Sequence, residues 1–142
     1  MFGRILVGTD GSGTAAGAVR HAVDLAKATG AELIVMSVYG APKDAPSPFG
    51  EPDAGPAGIE VAKGLLEDVQ KHYGDEVKLR TLAREGHAAD AIIDTCAEER
   101  VDVVVVGNRG MTGAKRYVLG SVPNAVSHHA PCHVLIVHTT EE

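Results

Sequence analysis

Residues 103–113 read VVVVGNRGMTG, an apolar run that passes directly into a glycine-rich segment. Four consecutive β-branched residues predict a strand that is buried on both faces, which is typical of a central strand in a parallel sheet. The glycine-rich segment ends where a helix is predicted over about 121–129. In such a strand–loop–helix arrangement, the N-terminus of the helix presents free backbone N–H groups and the positive end of its dipole. This order predicts a phosphate cradle, and a glycine-rich connector without a ligand is the alternative.

Strand-like and helix-like runs alternate on both sides of this stretch. The further strands are expected over 5–7, 33–38, 77–82 and 133–138, and the further helices over 15–26, 58–73 and 89–97. The order predicts one α/β domain over residues 1–142, with an open, parallel, five-stranded sheet and helices on both faces, in the Rossmann-like manner. Alternating polar residues place the 77–82 strand nearer the sheet edge. Ligands bind such sheets at the carboxyl ends of the strands, near the point where strand order reverses.

Three of the predicted helices have apolar stripes that indicate which side chains enter the core. These residues are Ala15, Ala18, Val19, Ala22, Val23 and Ala26 in the first helix, Val61, Leu65, Leu66 and Val69 in the second, and Ala89, Ile92, Ile93, Cys96 and Ala97 in the third. The segment 40–57 holds five of the seven prolines and has no periodicity, so we interpret it as an exposed loop. Such a loop either covers a ligand or simply connects two elements.

Charge and hydropathy exclude several classes of partner. The formal net charge is −6, which argues against a nucleic-acid backbone as partner. No apolar run approaches the roughly 18 residues of a membrane span, and the N-terminus lacks a signal-peptide pattern, so we expect a cytosolic protein. No acidic residue lies between Asp102 and Glu141, a stretch that contains Arg109, Lys115 and Arg116. This basic island indicates a small anion, with chance clustering on a solvated loop as the alternative.

The cysteines and histidines do not predict a metal site. Cys96 and Cys132 lack the spacing of metal ligands, and their apolar surroundings favour buried structural thiols. His128 and His129 are adjacent, so on a helix they point about 100° apart and cannot chelate one ion. His87 is expected to start a helix.

The glycine spacing separates this segment from two common phosphate loops. No Lys-Ser or Lys-Thr follows the last glycine, as a Walker loop requires, and the spacing differs from the dinucleotide fingerprint. The spacing is instead glycine, two residues, glycine, nine residues, glycine and serine, at Gly107, Gly110, Gly120 and Ser121. This pattern resembles the motif of ATP-binding universal stress proteins. Residues 5–12, 86–102 and 131–137 resemble other parts of that family, which has the adenine nucleotide alpha hydrolase-like fold.

The resemblance implies a set of ligand-binding residues. Gly8, Thr9 and Asp10 would line the ribose and a Mg²⁺ ion on the phosphates of ATP, ADP or AMP. Val38 would meet adenine through its backbone. The remaining contacts, to ribose and phosphates, would come from Gly107, Arg109, Gly110, Gly120, Ser121 and Val122. For Asp10 the alternative is a helix cap, which is common for aspartate just before a helix.

Pro123 departs from the family pattern, in which many ATP-binding members have a hydroxyl residue at that position. Proline is acceptable in the first turn of a helix, so we expect the fold to survive. A lost hydrogen bond to a charged group, worth about 1.5–3 kcal/mol, would weaken ATP binding by about tenfold to a hundredfold. Lys115 and Arg116 offer compensating charge, and Pro123→Ser is expected to tighten binding.

The resemblance also implies an isologous homodimer that pairs the last strand, residues 133–138, with its symmetry mate. An edge shielded by the tail 139–142 is the alternative. No nucleophile stands beside an obvious base, so we expect a nucleotide-dependent regulatory protein with an unknown protein partner and at most slow ATP hydrolysis.

Three other functions stay open at this point. The first is a nucleotide-free dimeric interaction module of the same fold, which Pro123 favours. The second is an ATP pyrophosphatase-like enzyme, although the first loop lacks that class's Ser-Gly-Gly-x-Asp-Ser sequence. The third is a flavodoxin-like electron carrier, although tryptophan is absent and aromatic residues make up 4%.

Overall fold

Five strands and four helices alternate along residues 2–40, 58–108 and 121–138, the part of the chain that the computed structural model describes. Their bounds are β1 Arg4–Gly8, α1 Gly13–Thr29, β2 Glu32–Tyr39, α2 Ile59–Tyr73, β3 Lys78–Glu85, α3 Ala88–Glu98, β4 Val103–Gly107, α4 Ser121–His129 and β5 His133–Val137. The predicted α/β order is therefore confirmed. The loop predicted over 40–57 lies, from residue 41 on, outside the described residues. None of the described helices is long and apolar enough to cross a membrane.

The sheet is parallel throughout, and its strand order is β3-β2-β1-β4-β5. The strand predicted nearer the edge, β3, lies at one edge, and β5 lies at the other. The valine run of β4 lies between β1 and β5, and its side chains are at most 6% exposed. Four β-branched side chains in succession fit this position because helices cover both faces of a parallel sheet.

The core has two layers, one on each face of the sheet. Alternate residues of β1 supply both layers: Ile5 and Val7 pack with α1 and α2, whereas Leu6 packs with α3 and α4. Helix α1 begins at the N-cap Ser12, whose Oγ accepts a hydrogen bond from the Ala15 N–H at 3.2 Å. It ends at Gly30, whose φ of +74° favours glycine. These caps fix the loop that leads from β1 into α1.

Two residues of the predicted apolar stripes are exposed. In α2 the sheet-facing positions are Ala62 and Leu66, and Val61 is 53% exposed because it lies one residue, about 100°, off that face. In α3, Ala97 is exposed and Thr95 is buried in its place. The Thr95 hydroxyl accepts a hydrogen bond from Arg84 Nη1 at 2.9 Å, which allows a polar residue to be buried there.

Candidate functional site

The central strand β1 ends before both of its neighbours. Its last pair with β2 is Gly8 with Met36, whereas β2 stays paired with β3 as far as Tyr39. On the other side, its last pair with β4 is Val7 with Val105, whereas β4 continues beside β5 as far as Gly107. A notch therefore opens at the carboxyl edge of the sheet, above β1 and between the ends of β2 and β4.

The notch coincides with the reversal of strand order. From β1 the chain moves outward through β2 to β3, and it then crosses back to place β4 on the other side of β1. Connections on the two sides of this point diverge over opposite faces of the sheet, which leaves a crevice where open α/β sheets bind ligands. The predicted residues Gly8 and Gly107 lie on either side of it.

The loop after β1 brings Thr9 and Asp10 to the floor of the notch. The Thr9 N–H donates to the Met36 carbonyl at 2.8 Å and so ends the pairing of β1 with β2. Asp10 Oδ1 accepts a hydrogen bond from the Ser12 N–H at 2.9 Å. Because Ser12 is the N-cap of α1, the alternative interpretation of Asp10 as the helix cap is wrong. Among the described residues, none donates a hydrogen bond to Asp10 Oδ2.

Val38 presents its backbone, not its side chain, to the notch. Its side chain is 6% exposed and packs in the core layer under α3. Successive residues of a strand direct their N–H and C=O groups to alternate sides. The Tyr39 carbonyl accepts from the Gly86 N–H at 3.0 Å, on the β3 side. The N–H and C=O of Val38 therefore point to the β1 side, at a level that β1 does not reach.

Helix α4 directs its N-terminus toward the same edge. Its last turn leads through Ala130 into β5 at the amino edge, so its first residues, Ser121 and Val122, lie at the carboxyl edge. Ser121 is exposed, and Val122 packs against the core. Pro123 is buried in the first turn, and the helix forms as expected. The predicted contacts Arg109, Gly110 and Gly120 lie outside the described residues, as do Lys115 and Arg116.

Sequence reasoning missed one carboxylate at this edge, Asp90 in the first turn of α3. Burial raises its pKa, the nearby His87 lowers it, and the negative charge of Asp94 raises it further. Its Oδ1 is buried without a hydrogen bond in the described part of the chain. An acidic residue in a first turn ordinarily indicates a favourable helix dipole, so the sequence contained no signal for this burial.

The adjacent cavity is too small to hold a nucleotide. It lies between α1 and α2, has a volume of about 180 Å³, and is bounded by Thr9 and Leu65 among others. Ligand pockets generally measure about 300–1,000 Å³. The notch is therefore the better candidate. Across residues 2–40, 58–108 and 121–138, no group of three His, Cys, Asp or Glu side chains could hold a metal ion.

Comparisons with known proteins agree with this fold. The profile of the universal stress protein family matches residues 1–138. Universal stress protein Rv1636 of Mycobacterium tuberculosis is 35% identical over 143 residues, covering 96% of each chain. Universal stress protein MJ0531 of Methanocaldococcus jannaschii is 33% identical over 151 residues, covering 96% of this chain and 82% of that one. The crystal structure of a universal stress protein in complex with cAMP is 31% identical, with a TM-score of 0.73, covering 98% of this chain and 99% of that one.

Proposed function

The chain belongs to the universal stress protein family, and on that premise we propose that it is a nucleotide-dependent regulator that binds ATP, ADP or AMP in the notch. The complex of a 31% identical universal stress protein with cAMP supports an adenine nucleotide as the ligand class. Family membership also argues against the pyrophosphatase-like and flavodoxin-like alternatives.

The observation that carries this proposal is the shared position of Asp10 and the backbone of Val38, which both follow the last β1–β2 pair at the carboxyl edge of the sheet. An adenine edge offers one acceptor nitrogen and one amino donor, which complement one backbone N–H and one C=O. A carboxylate oxygen that accepts no bond from the described residues suits the ribose hydroxyls or a phosphate-bound Mg²⁺. The two groups therefore match the two halves of a nucleoside.

The phosphates would extend from the notch toward the N-terminus of α4. Ser121 and Val122 open that helix, where free N–H groups and the dipole favour an anion. Gly8 and Thr9 would border the ribose. Gly107, Arg109, Gly110 and Gly120 complete the proposed set as the glycine-rich segment along the phosphates.

The described residues of the site favour binding over fast chemistry. Asp10 already accepts one hydrogen bond, and no described nucleophile stands beside a base at the notch. We propose that the bound nucleotide changes the surface shown to a protein partner, with ATP hydrolysis at most slow. A cytosolic location and a homodimer formed through β5 belong to the same proposal.

Titration calorimetry on the full, nucleotide-stripped protein tests the site with Mg-ATP, ADP, AMP and cAMP. We expect micromolar binding with about one site per chain. Asp10→Ala should weaken it by about tenfold to a hundredfold, because a hydrogen bond to a charged group is worth about 1.5–3 kcal/mol. Asp24→Ala is the matched control, since that aspartate is exposed on α1 and forms an ion pair with Arg20 at 3.8 Å.

Equal binding by the Asp10 and Asp24 variants would refute the assigned site. No binding of any of the four nucleotides up to millimolar concentration would favour the nucleotide-free interaction module. Pro123 favours that second function, because it removes a hydroxyl from the first turn of α4. Pro123→Ser then becomes the decisive variant: restored binding would assign the loss to that position.

A further inference from the structure

The two cysteines meet in the core layer beneath α3 and α4, at the amino edge of the sheet. Cys96, near the end of α3, is 2% exposed, and Cys132, just before β5, is half-buried against the same cluster. The two side chains are neighbours, and each sulfur influences the pKa of the other. Their apolar surroundings in the sequence predicted buried structural thiols, and the fold brings the two together.

Backbone hydrogen bonds hold the two cysteine segments together. The Cys96 carbonyl accepts from the Val101 N–H at 3.0 Å, and the Asp102 carbonyl accepts from the His133 N–H at 3.1 Å. Cys132 precedes the first β4–β5 pair, Val103 with His133. Both cysteine segments are therefore anchored next to the start of β4.

We propose that Cys96 and Cys132 are a redox modification site, at which a hydroperoxide converts the two thiols into a reversible intramolecular disulfide. A disulfide needs an S–S separation of about 2.0 Å and a Cα separation of about 4.4–6.8 Å. Neighbouring thiols that pack in one apolar cluster can approach each other by rotation of their side chains. The proposal does not depend on nucleotide binding, because the pair lies at the opposite end of the sheet from the notch.

Cys132 is the thiol that reacts first, because it is the more accessible. Its thiolate attacks one oxygen of hydrogen peroxide, the O–O bond breaks, and after protonation a sulfenic acid and one water result. The Cys96 thiol, whose pKa is raised by burial, then attacks the Cys132 sulfur. The S–O bond breaks, and the departing hydroxide takes the Cys96 proton and leaves as the second water. Two thiols and one peroxide thus yield one disulfide and two waters.

The surroundings of Cys132 determine the rate of this oxidation, because they shift the pKa of its thiol. Burial raises the pKa of Cys132, and the negative charge of Asp102 acts in the same direction. Hydrogen bonds from the Cys96 thiol and from the backbone of Val104 partly offset this effect. The thiolate fraction rises about tenfold for each pH unit below the pKa, so oxidation should be slow at neutral pH and accelerate steeply toward pH 9.

The test treats the full protein with hydrogen peroxide and counts free thiols after unfolding, with peptide mass spectrometry to locate the bond. We expect the count of free thiols to fall from two to zero per chain, with both thiols lost at the same rate. Mass spectrometry should show a Cys96–Cys132 cross-linked peptide within single chains. Dithiothreitol should restore both thiols. Cys96→Ala removes the resolving thiol, so Cys132 should proceed to sulfinic acid, which dithiothreitol does not reverse. Cys132→Ser is the matched variant, in which Cys96 should stay reduced.

Three results would overturn the proposal. One is a thiol count that stays at two after prolonged treatment with excess hydrogen peroxide at pH 9, where the thiolate fraction of Cys132 is higher than at neutral pH. Another is sulfinic acid at Cys132 in the wild-type protein, with Cys96 still reduced. The third is a disulfide between chains. All three are read on the wild-type protein, so failure of a variant to fold leaves the test intact.

Discussion

Gly11 holds the loop of the notch in a conformation that other residues adopt at a cost. Its φ is +84°, and an added Cβ would lie 2.9 Å from Leu65 Cδ2 on α2. Its N–H also donates to Thr9 Oγ1 at 3.3 Å. The left-handed region costs an ordinary residue about 1–2 kcal/mol, and the contact with Leu65 adds to that cost. The position of Asp10 beside the notch therefore depends on its glycine neighbour.

Gly11→Ala should lower the free energy of unfolding by about 1–2 kcal/mol, from the backbone strain alone. Urea denaturation of the purified protein measures this loss. Gly13→Ala provides the comparison, because that glycine opens α1 and has no atom within 4 Å of the added Cβ. There the replacement should be neutral or stabilising by up to about 1 kcal/mol. Equal changes at the two positions would show that neither the strain nor the Leu65 contact matters.

Four elements are joined by charged side chains at the amino edge of the sheet. Glu32 of β2 bridges two arginines, with Arg4 Nε of β1 at 3.2 Å and Arg80 Nε of β3 at 3.5 Å. Arg80 Nη2 also contacts Glu99 Oε1 at 2.7 Å, next to the end of α3. This hydrogen bond, and the charge of Arg80, hold the pKa of Glu99 below its usual range. Protonation of Glu99 therefore weakens the link between α3 and the sheet.

Asp102 joins the start of β4 to the start of β1. Its Oδ2 accepts from the backbone N–H of Arg4 at 2.9 Å and of Gly3 at 2.7 Å, and these bonds lower its pKa. A lowered pKa in the folded state contributes stability above the unfolded value of about 3.9. That contribution is lost as the pH falls through the lower, folded pKa.

Asp102→Asn keeps an oxygen for the two N–H groups but cannot titrate. The variant should be less stable than the wild type at pH 7, and the difference should shrink as the pH falls below about 4. Thermal unfolding monitored by circular dichroism at several pH values measures this convergence. For Asp75→Asn, at an exposed turn position, the difference in Tm from the wild type should be the same at every pH. A difference in Tm between Asp102→Asn and the wild type that does not change with pH would contradict the lowered pKa of Asp102.

The elements were predictable to the extent that their side chains follow one periodicity. The valine run of β4 and the spacing of α1 predicted both elements because burial and sequence pattern agree there. The exposure of Val61 and the burial of Thr95 were not predictable, since Thr95 depends on Arg84 of another element. The family resemblance placed Asp10 and Val38 in one site, but the notch between them was not predictable, because it depends on how far β2 extends beyond the end of β1.

At the scale of the whole molecule, one sheet edge carries exposed apolar side chains. Strand β5 is the outer strand, and Leu135 and Ile136 are 40% and 39% exposed. Unpaired strand edges with apolar side chains favour association. We expect a homodimer in which two β5 strands meet. The tail 139–142, the alternative cover, lies outside the described residues.

Light scattering after size-exclusion chromatography tests this assembly. Leu135→Lys combined with Ile136→Lys should shift a dimer to a monomer, because charges on an edge strand oppose pairing. Val61→Lys is the control, since that valine is 53% exposed on α2, away from β5. A wild-type monomer at high protein concentration, or a double variant that stays dimeric, would refute the β5 interface.

The central place of β1 also affects how the chain can fold while it is being synthesised. β1 comes from the first residues, yet its second neighbour, β4, begins only at Val103. A nascent chain can pair β1 with β2 early, but the other edge of β1 stays open until most of the domain has emerged. That edge carries Ile5, Leu6 and Val7, which are fully buried in the finished sheet. Ribosome-bound intermediates that end before residue 103 therefore expose an apolar strand edge, the type of surface that chaperones shield from aggregation.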